Sequence, residues 1–279
     1  MKATGATQGR PESGAAAFAR VVCGVDASRT DPEAVRQAAA LVAPAGSLEL
    51  VCVAYESGAG PSTQVTLPEG RASAALARAR EVAAEAGVEA STREIFEPDR
   101  WKGIAQASAG SDLLVLGGHM RSRPEGIIGG SLGTEALHRA DVPVLLARAS
   151  STRFPERILL ATDGSEDSRR AVELTVRICA RHECEVTVVT VGDEANRGRR
   201  HELAEQTAAL FGASGVESII DVRDGSPGST IVALADADEA SLVVLGSGGK
   251  RGVRALGSVS EHVAHHVRCS ALVARPPSQ

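Results

Sequence analysis

The sequence predicts an α/β protein built as two tandem copies of one Rossmann-like domain, each a five-stranded parallel sheet flanked by helices. Three observations carry this. Short runs of Val, Leu and Ile alternate with Ala-rich segments of helical length, the pattern of strands joined by crossover helices. Four segments of the first half recur, in the same order, in the second half. The chain has 279 residues, ample for two cores of ordinary size.

The recurrences locate the elements. RVVCGVDAS at 20–28 matches RILLATDGS at 157–165, offset by 137 residues, and LELVCVAYE at 48–56 matches VTVVTVGDE at 186–194, offset by 138. DLLVLGGH at 112–119 matches SLVVLGSG at 241–248, offset by 129, and GSLGTEALHRADVPVLLAR at 130–148 matches GSVSEHVAHHVRCSALVAR at 257–275, offset by 127. The falling offset places nine extra residues in the middle of copy one and two more in its Gly-rich loop. Strands are expected near 20–25, 48–54, 90–95, 112–117 and 143–147 in copy one, and near 157–162, 185–191, 216–222, 241–246 and 270–274 in copy two. Near-continuous hydrophobicity in VVCGV, DLLVLG and VPVLLA marks strands covered on both faces. Asp31-Pro32-Glu33 and Ser165-Glu166-Asp167 have the capping oxygen and early acids of helix starts. RASAALARAREVAAEA at 71–86 reads as a crossover helix packing on its own sheet. The expected domains are 18–149 and 157–276, joined by a linker at 150–156 and preceded by a disordered, small and polar tail at 1–17.

Composition narrows the function. Aromatic residues make up only 2% of the chain and net charge is −5, so neither nucleic acid nor an anionic membrane is an expected partner. No stretch has membrane-spanning length and the N-terminus has no apolar leader core, which predicts a cytoplasmic protein. Five scattered cysteines, Cys23, Cys52, Cys179, Cys184 and Cys269, read as buried thiols rather than disulfides or a zinc site. His262, His265 and His266 have helical spacing but lack a supporting ligand cluster, so a solvated helix face is expected and no metal.

In an open parallel sheet, ligands sit beyond the carboxyl ends of the strands, where strand order reverses. Asp26 and Asp163 follow the first strand of each copy. Each carboxylate could accept from a nucleotide's exocyclic amine or ribose hydroxyl, or simply make a turn or helix cap. After the fourth strands come Gly117-Gly-His-Met120, then nine residues to Gly130-Ser131, and Gly246-Ser-Gly-Gly249, then seven residues to Gly257-Ser258. Glycines let the backbone approach closely, and the N–H groups opening the next helix can hold a phosphate. Ser260 adds a hydroxyl in copy two; His119 reads equally as a phosphate contact or a turn residue. Lys250, Arg251, Arg254, Arg121 and Arg123 either neutralise phosphate or solvate the loops. The Walker GxxxxGK[ST] pattern is absent and no cysteine has an identifiable local activating partner, so neither a P-loop phosphotransferase nor nucleophilic catalysis is expected.

With VVCGVDAS and ILLATDGS at the first strands, VLGGH and VLGSGG at the fourth, and GSLGTEAL and GSVSEHVAHH before the last, the chain resembles the universal stress protein family in its tandem form, from about residue 18 to 276. That resemblance implies an adenine nucleotide alpha-hydrolase-like fold and binding of ATP, or AMP or ADP, without ordinary catalysis, in a stress-response role. It places Asp26 and Val53, and Asp163 and Val191, near adenosine, and the Gly117, Gly130, Ser131 and Gly246, Gly249, Gly257, Ser258 loops at the phosphates. It also implies pairing through the last strands, either between the two copies as a pseudo-dimer or between chains. Copy one departs from the family pattern at Met120, where a glycine belongs, and copy two has a loop two residues short. A slow ATPase or adenylate-handling enzyme, and an interaction protein whose nucleotide loops have decayed, are the alternatives. Magnesium has no sequence signature here.

Overall fold

The structure, a computed structural model, describes residues 18–28, 31–54, 57–58, 64–65, 70–118, 132–248 and 256–275. The expected tail at 1–17 lies outside them. Copy one runs β1 (Phe18–Gly24), α1 (Pro32–Leu41), β2 (Val42–Ala54), β3 (Ser57–Gly58), β4 (Gln64–Val65), α2 (Arg71–Glu85), β5 (Ala90–Phe96), α3 (Arg100–Ser108), β6 (Leu113–Gly117), α4 (Leu132–Arg139) and β7 (Val144–Ala147). Copy two runs β8 (Arg157–Ala161), α5 (Glu166–Cys179), β9 (Glu185–Gly192), a 3-10 turn (Glu194–Asn196), α6 (Arg197–Ala213), β10 (Ser218–Asp224), α7 (Pro227–Ala237), β11 (Leu242–Gly246), α8 (Ser258–His266) and β12 (Ser270–Ala274).

The main strands form one ten-stranded sheet in the order β10-β9-β8-β11-β12-β7-β6-β1-β2-β5. Within each copy every neighbour is parallel. The copies meet at β7 and β12, which pair antiparallel with Leu146 opposite Ala271 and Val144 opposite Val273.

The six central strands, β8, β11, β12, β7, β6 and β1, are covered on both faces, which explains why they carry no polar face, whereas the edge strands β5 and β10 leave Phe96 and Ile219 exposed. Alternate residues point to opposite sides: Val21, Cys23, Leu113, Val115, Ile158, Leu160, Leu242 and Val244 pack with α1, α2, α5 and α6. Val22, Leu114, Leu116, Leu159, Val243 and Leu245 pack with α3, α4, α7 and α8. Alanine dominates the helix side of these contacts in α1 and α2, whereas α5 contributes Val172, Leu174 and Ile178. Both expected helix starts are present. Asp31 caps α1 by accepting from the Glu33 amide at 3.1 Å, and Ser165 caps α5 by accepting from the Ser168 amide at 3.2 Å.

The nine extra residues of copy one fall between β2 and α2, where the small β3–β4 pair lies; copy two crosses the same gap with only the 3-10 turn. Among the described residues, no helix is long and apolar enough to cross a membrane.

Candidate functional site

In each copy the strand order reverses beside the first strand. β1 connects through α1 to β2 on one side and has β6 on the other; β8 stands in the same way between β9 and β11. The carboxyl ends of β1 and β6, and of β8 and β11, therefore flank the two crevices where a ligand would lie.

At the first crevice, Oδ1 of Asp26 accepts from the Ser28 amide at 2.8 Å and the Ser28 hydroxyl at 2.6 Å. Its Oδ2 lies 3.5 Å from the guanidinium of Arg100, the first residue of α3. Burial pushes the Asp26 carboxyl up, but the Ser28 hydrogen bonds and the Arg100 charge outweigh it and hold the group below the usual carboxylate range. A fixed negative charge thus ends β1. Gly117 ends β6, and a Cβ there would stand 2.9 Å from Oδ2 of Asp31, so a second carboxylate overhangs the start of the Gly-rich loop. Val53 is buried against α3, where a Cβ on Gly103 would come within 2.9 Å of its Cγ2. Gly130 and Ser131 lie outside the described residues, as do His119, Met120, Arg121 and Arg123.

At the second crevice, Oδ1 of Asp163 accepts from the Ser165 amide at 2.9 Å. Desolvation by the surrounding chain pushes this carboxyl up, while hydrogen bonds from Ser165 and Ser168 more than compensate and leave it lowered. Gly246 admits the first turn of α5 so closely that a Cβ would sit 2.6 Å from the Asp167 carbonyl carbon and the Ser168 nitrogen. Ser247 donates its hydroxyl to Oδ2 of Asp167 at 2.7 Å. Gly248 has φ of +59°, a conformation that favours glycine. The two ends of the loop then meet: Gly257 N–H donates to the Ser247 carbonyl at 2.8 Å, and a Cβ on Gly257 would overlap the Gly248 carbonyl oxygen at 1.9 Å. Ser260 donates its hydroxyl to the Gly246 carbonyl at 2.7 Å.

Ser258 opens α8, whose N-cap is Gly257, a residue with no side chain to cap the first amides. Those amides are donors for an anion. Val191 is half-buried on β9 against the α7 and α8 side of the sheet. Gly249, Lys250, Arg251 and Arg254 lie outside the described residues.

The structure therefore brings Asp163, Gly246, Gly257, Ser258 and Ser260 to one end of the sheet, and Asp26 and Gly117 to the corresponding end of copy one. It adds residues that sequence reasoning missed. Arg100 pairs with Asp26 across the first crevice. Asp31 and Asp167, legible only as helix-start acids, hold carboxylates at the glycine loops. Arg148 is 8% exposed and donates from Nε to the Gly118 carbonyl at 3.1 Å, and from its two terminal nitrogens to Cys269 at 3.1 Å and Ala264 at 2.6 Å. Arg275 is buried at the equivalent end of β12. The signal for this pair was the shared ending of VLLAR and ALVAR. On α8, His262 and His266 stack with centroids 4.1 Å apart, and Glu261 of the same helix lies 3.3 Å from His138 of α4. Among the described residues, no group of three His, Cys, Asp or Glu side chains is arranged to hold a metal.

Comparison with known proteins agrees with the doubled architecture. The universal stress protein family model matches residues 17–148 and again residues 155–275. A universal stress protein of Mycolicibacterium smegmatis is 27% identical over 92% of this chain and 97% of its own length. The universal stress protein E homolog of Haemophilus influenzae is 27% identical over 51% of this chain, and the match spans only 55% of that relative. A crystal structure of a universal stress protein from Archaeoglobus fulgidus superposes with a TM-score of 0.71, covering 95% of this chain and 98% of that one, at 18% identity; this likeness is one of fold alone.

Proposed function

The chain belongs to the universal stress protein family, with two of its domains in tandem, and from that premise we propose that it binds an adenine nucleotide, ATP or its AMP or ADP relatives, as a regulatory ligand rather than as the substrate of an ordinary enzyme. The observation that carries the reading is the convergence at the β8–β11 reversal. A lowered carboxylate at Asp163, close-approach glycines at 246 and 248, and the side-chain-uncapped start of α8 beyond Gly257 surround one crevice. The carboxylate suits the ribose or amine end of a nucleoside, and the glycines and α8 amides suit its phosphates. Gly249 and Ser258 would complete that cradle, with Val191 beside the adenosine. In copy one, Asp26, Val53, Gly117, Gly130 and Ser131 would do the same around the β1–β6 reversal. We take residues 18–149 and 157–276 as the two domains, paired through β7 and β12 as a pseudo-dimer, and place the protein in the cytoplasm.

The test is to identify any nucleotide retained on purification and then titrate ATP into wild type, Gly130→Val and Gly257→Val. Valine at 257 must displace the Gly248 backbone and open the loop, so affinity should fall at least about tenfold, the equivalent of 1.4 kcal/mol. No retained nucleotide and no binding at millimolar ATP would defeat the proposal. Unchanged affinity in both variants would show that the sites are elsewhere.

A slow ATPase is the second reading, favoured by the carboxylates of Asp31 and Asp167 at the two glycine loops. Multiple-turnover phosphate release that disappears in Asp31→Ala or Asp167→Ala would select it.

A further inference from the structure

Two of the five cysteines stand apart from the rest. Cys23, Cys52 and Cys269 are buried in or beside different strands, and burial pushes their thiols up to about 12, 11 and 11. They are shielded and protonated. Cys179, the last residue of α5, is also buried, and the neighbouring Cys184 thiol together with burial pushes its thiol up; Cys184 itself is only half-buried and packs on the same core cluster.

The local backbone makes the two neighbours. After Cys179 the helix ends in a tight turn, with the Ala180 amide donating to Val176 at 2.9 Å and the Arg181 and His182 amides both donating to Ile178 at 3.1 Å. The chain then reverses into β9, where the Glu185 amide donates to Glu156 at 2.8 Å. Both sulfurs are thereby turned onto the same core cluster. Cys184 also lines an open groove of about 1320 Å³ along the β8–β9–β10 side of the sheet, the side from which a small solute would approach it. The intervening Arg181, His182 and Glu183 border a second cavity of about 300 Å³, which leaves them room to adjust.

We propose that Cys179 and Cys184 form a redox pair, which hydrogen peroxide entering from the groove converts into an intramolecular disulfide. Peroxide gives one oxygen to the Cys184 thiolate, its O–O bond breaking, to make a sulfenic acid and hydroxide. The Cys179 sulfur then attacks the Cys184 sulfur; the S–OH bond breaks and water leaves with the proton that Cys179 surrenders. In total two thiols and one peroxide give one disulfide and two waters, with each sulfur losing one electron and peroxide gaining two. The tight turn sets the two side chains on one core cluster as neighbours, so closure needs adjustment of the turn to the separations a disulfide allows. The bridged segment contains His182, whose Nε2 is 3.0 Å from the Ala40 carbonyl at the end of α1, so the modification falls where copy two is tied to copy one.

Trypsin cuts at Arg177, Arg181 and Arg197, which separates the two cysteines into peptides 178–181 and 182–197. The full chain is treated with a molar excess of peroxide, blocked with an alkylating reagent, digested without reductant and mapped by mass spectrometry. The expected result is a linked pair of those two peptides, lighter by two hydrogens than their sum, which dithiothreitol separates and which Cys184→Ser never forms. Cys184 recovered as sulfinic acid with Cys179 alkylated would overturn the proposal. So would recovery of both as alkylated thiols, or linkage of either to Cys23, Cys52 or Cys269. Because readout is the covalent product, it is independent of whether nucleotide binds.

Discussion

Replacing Arg148 with methionine should destabilise the whole chain by about 2–4 kcal/mol. The guanidinium is buried and donates to three carbonyls, those of Gly118, Ala264 and Cys269. A hydrogen bond from a charged group contributes about 1.5–3 kcal/mol net, giving roughly 5–9 kcal/mol for three. Holding the charge out of water costs several kcal/mol, which is the same effect that lowers the Arg148 pKa. Methionine keeps most of the stem volume, so the remainder is the loss of those three bonds. With a urea dependence of about 3 kcal/mol per molar, the midpoint should fall by about 1 M at unchanged slope. Arg148→Lys should lose most of the same stability, because a single ammonium cannot fork across three acceptors. A midpoint within about 0.2 M of wild type in Arg148→Met would refute this account, since it corresponds to under about 0.6 kcal/mol.

Other predictions follow from the same structure. Burial, reinforced by Arg181 and Arg153, lowers the pKa of His182 despite its hydrogen bond to Ala40; the unfolded chain therefore binds the proton more readily, and stability should fall as pH drops from about 6.5 through the folded value. In His182→Gln, urea titrations across that range should show a shallower pH slope, and an unchanged slope would refute the assignment. Gly246→Ala should cost about 1–3 kcal/mol by thermal melting, because its Cβ meets backbone at 2.6 Å. Gly198→Ala, in α6 with nothing within 4 Å of the new methyl, should instead stabilise by about 0.4–1 kcal/mol. Trp101 is the single tryptophan and is 4% exposed in copy one. Its fluorescence should unfold together with the circular dichroism of both copies, since the sheet is continuous through β7 and β12; two separated transitions would count against a cooperative seam.

The strands and their order of appearance were legible because each is a short aliphatic run, the six central ones buried on both faces, a pattern few other structures produce. β2 was legible only in part. VAPAGS at 42–47 contains Pro and Gly and reads as a loop, yet it stays extended beside β1, with the register shifting between Phe18 and Arg20. The polar insertion after β2 gave no sign of the β3–β4 pair. Around the crevices, Asp26, Asp163 and the glycines were recognisable because the repeat presents them twice. Arg100 was not, since its pairing with Asp26 depends on α3 crossing the end of β1 and, among the described residues, has no counterpart at Asp163.

The seam between the copies shows most clearly what spacing alone withholds. Pairing Leu146 with Ala271 sets Arg148 beside Ser270, whose hydroxyl accepts from the Arg148 amide at 3.0 Å and faces Gln37 Oε1 at 2.8 Å. Gln37 in turn donates to the Arg148 carbonyl at 2.9 Å and to Glu33 in the first turn of α1 at 2.8 Å. Shifting the register by one residue would turn this set to the other face and dissolve it. The same guanidinium holds Gly118, where the loop of copy one begins, and Ala264, in the helix that follows the loop of copy two. Displacing either group breaks a charge-assisted hydrogen bond in a buried setting, so movement at one glycine loop is opposed by the other copy.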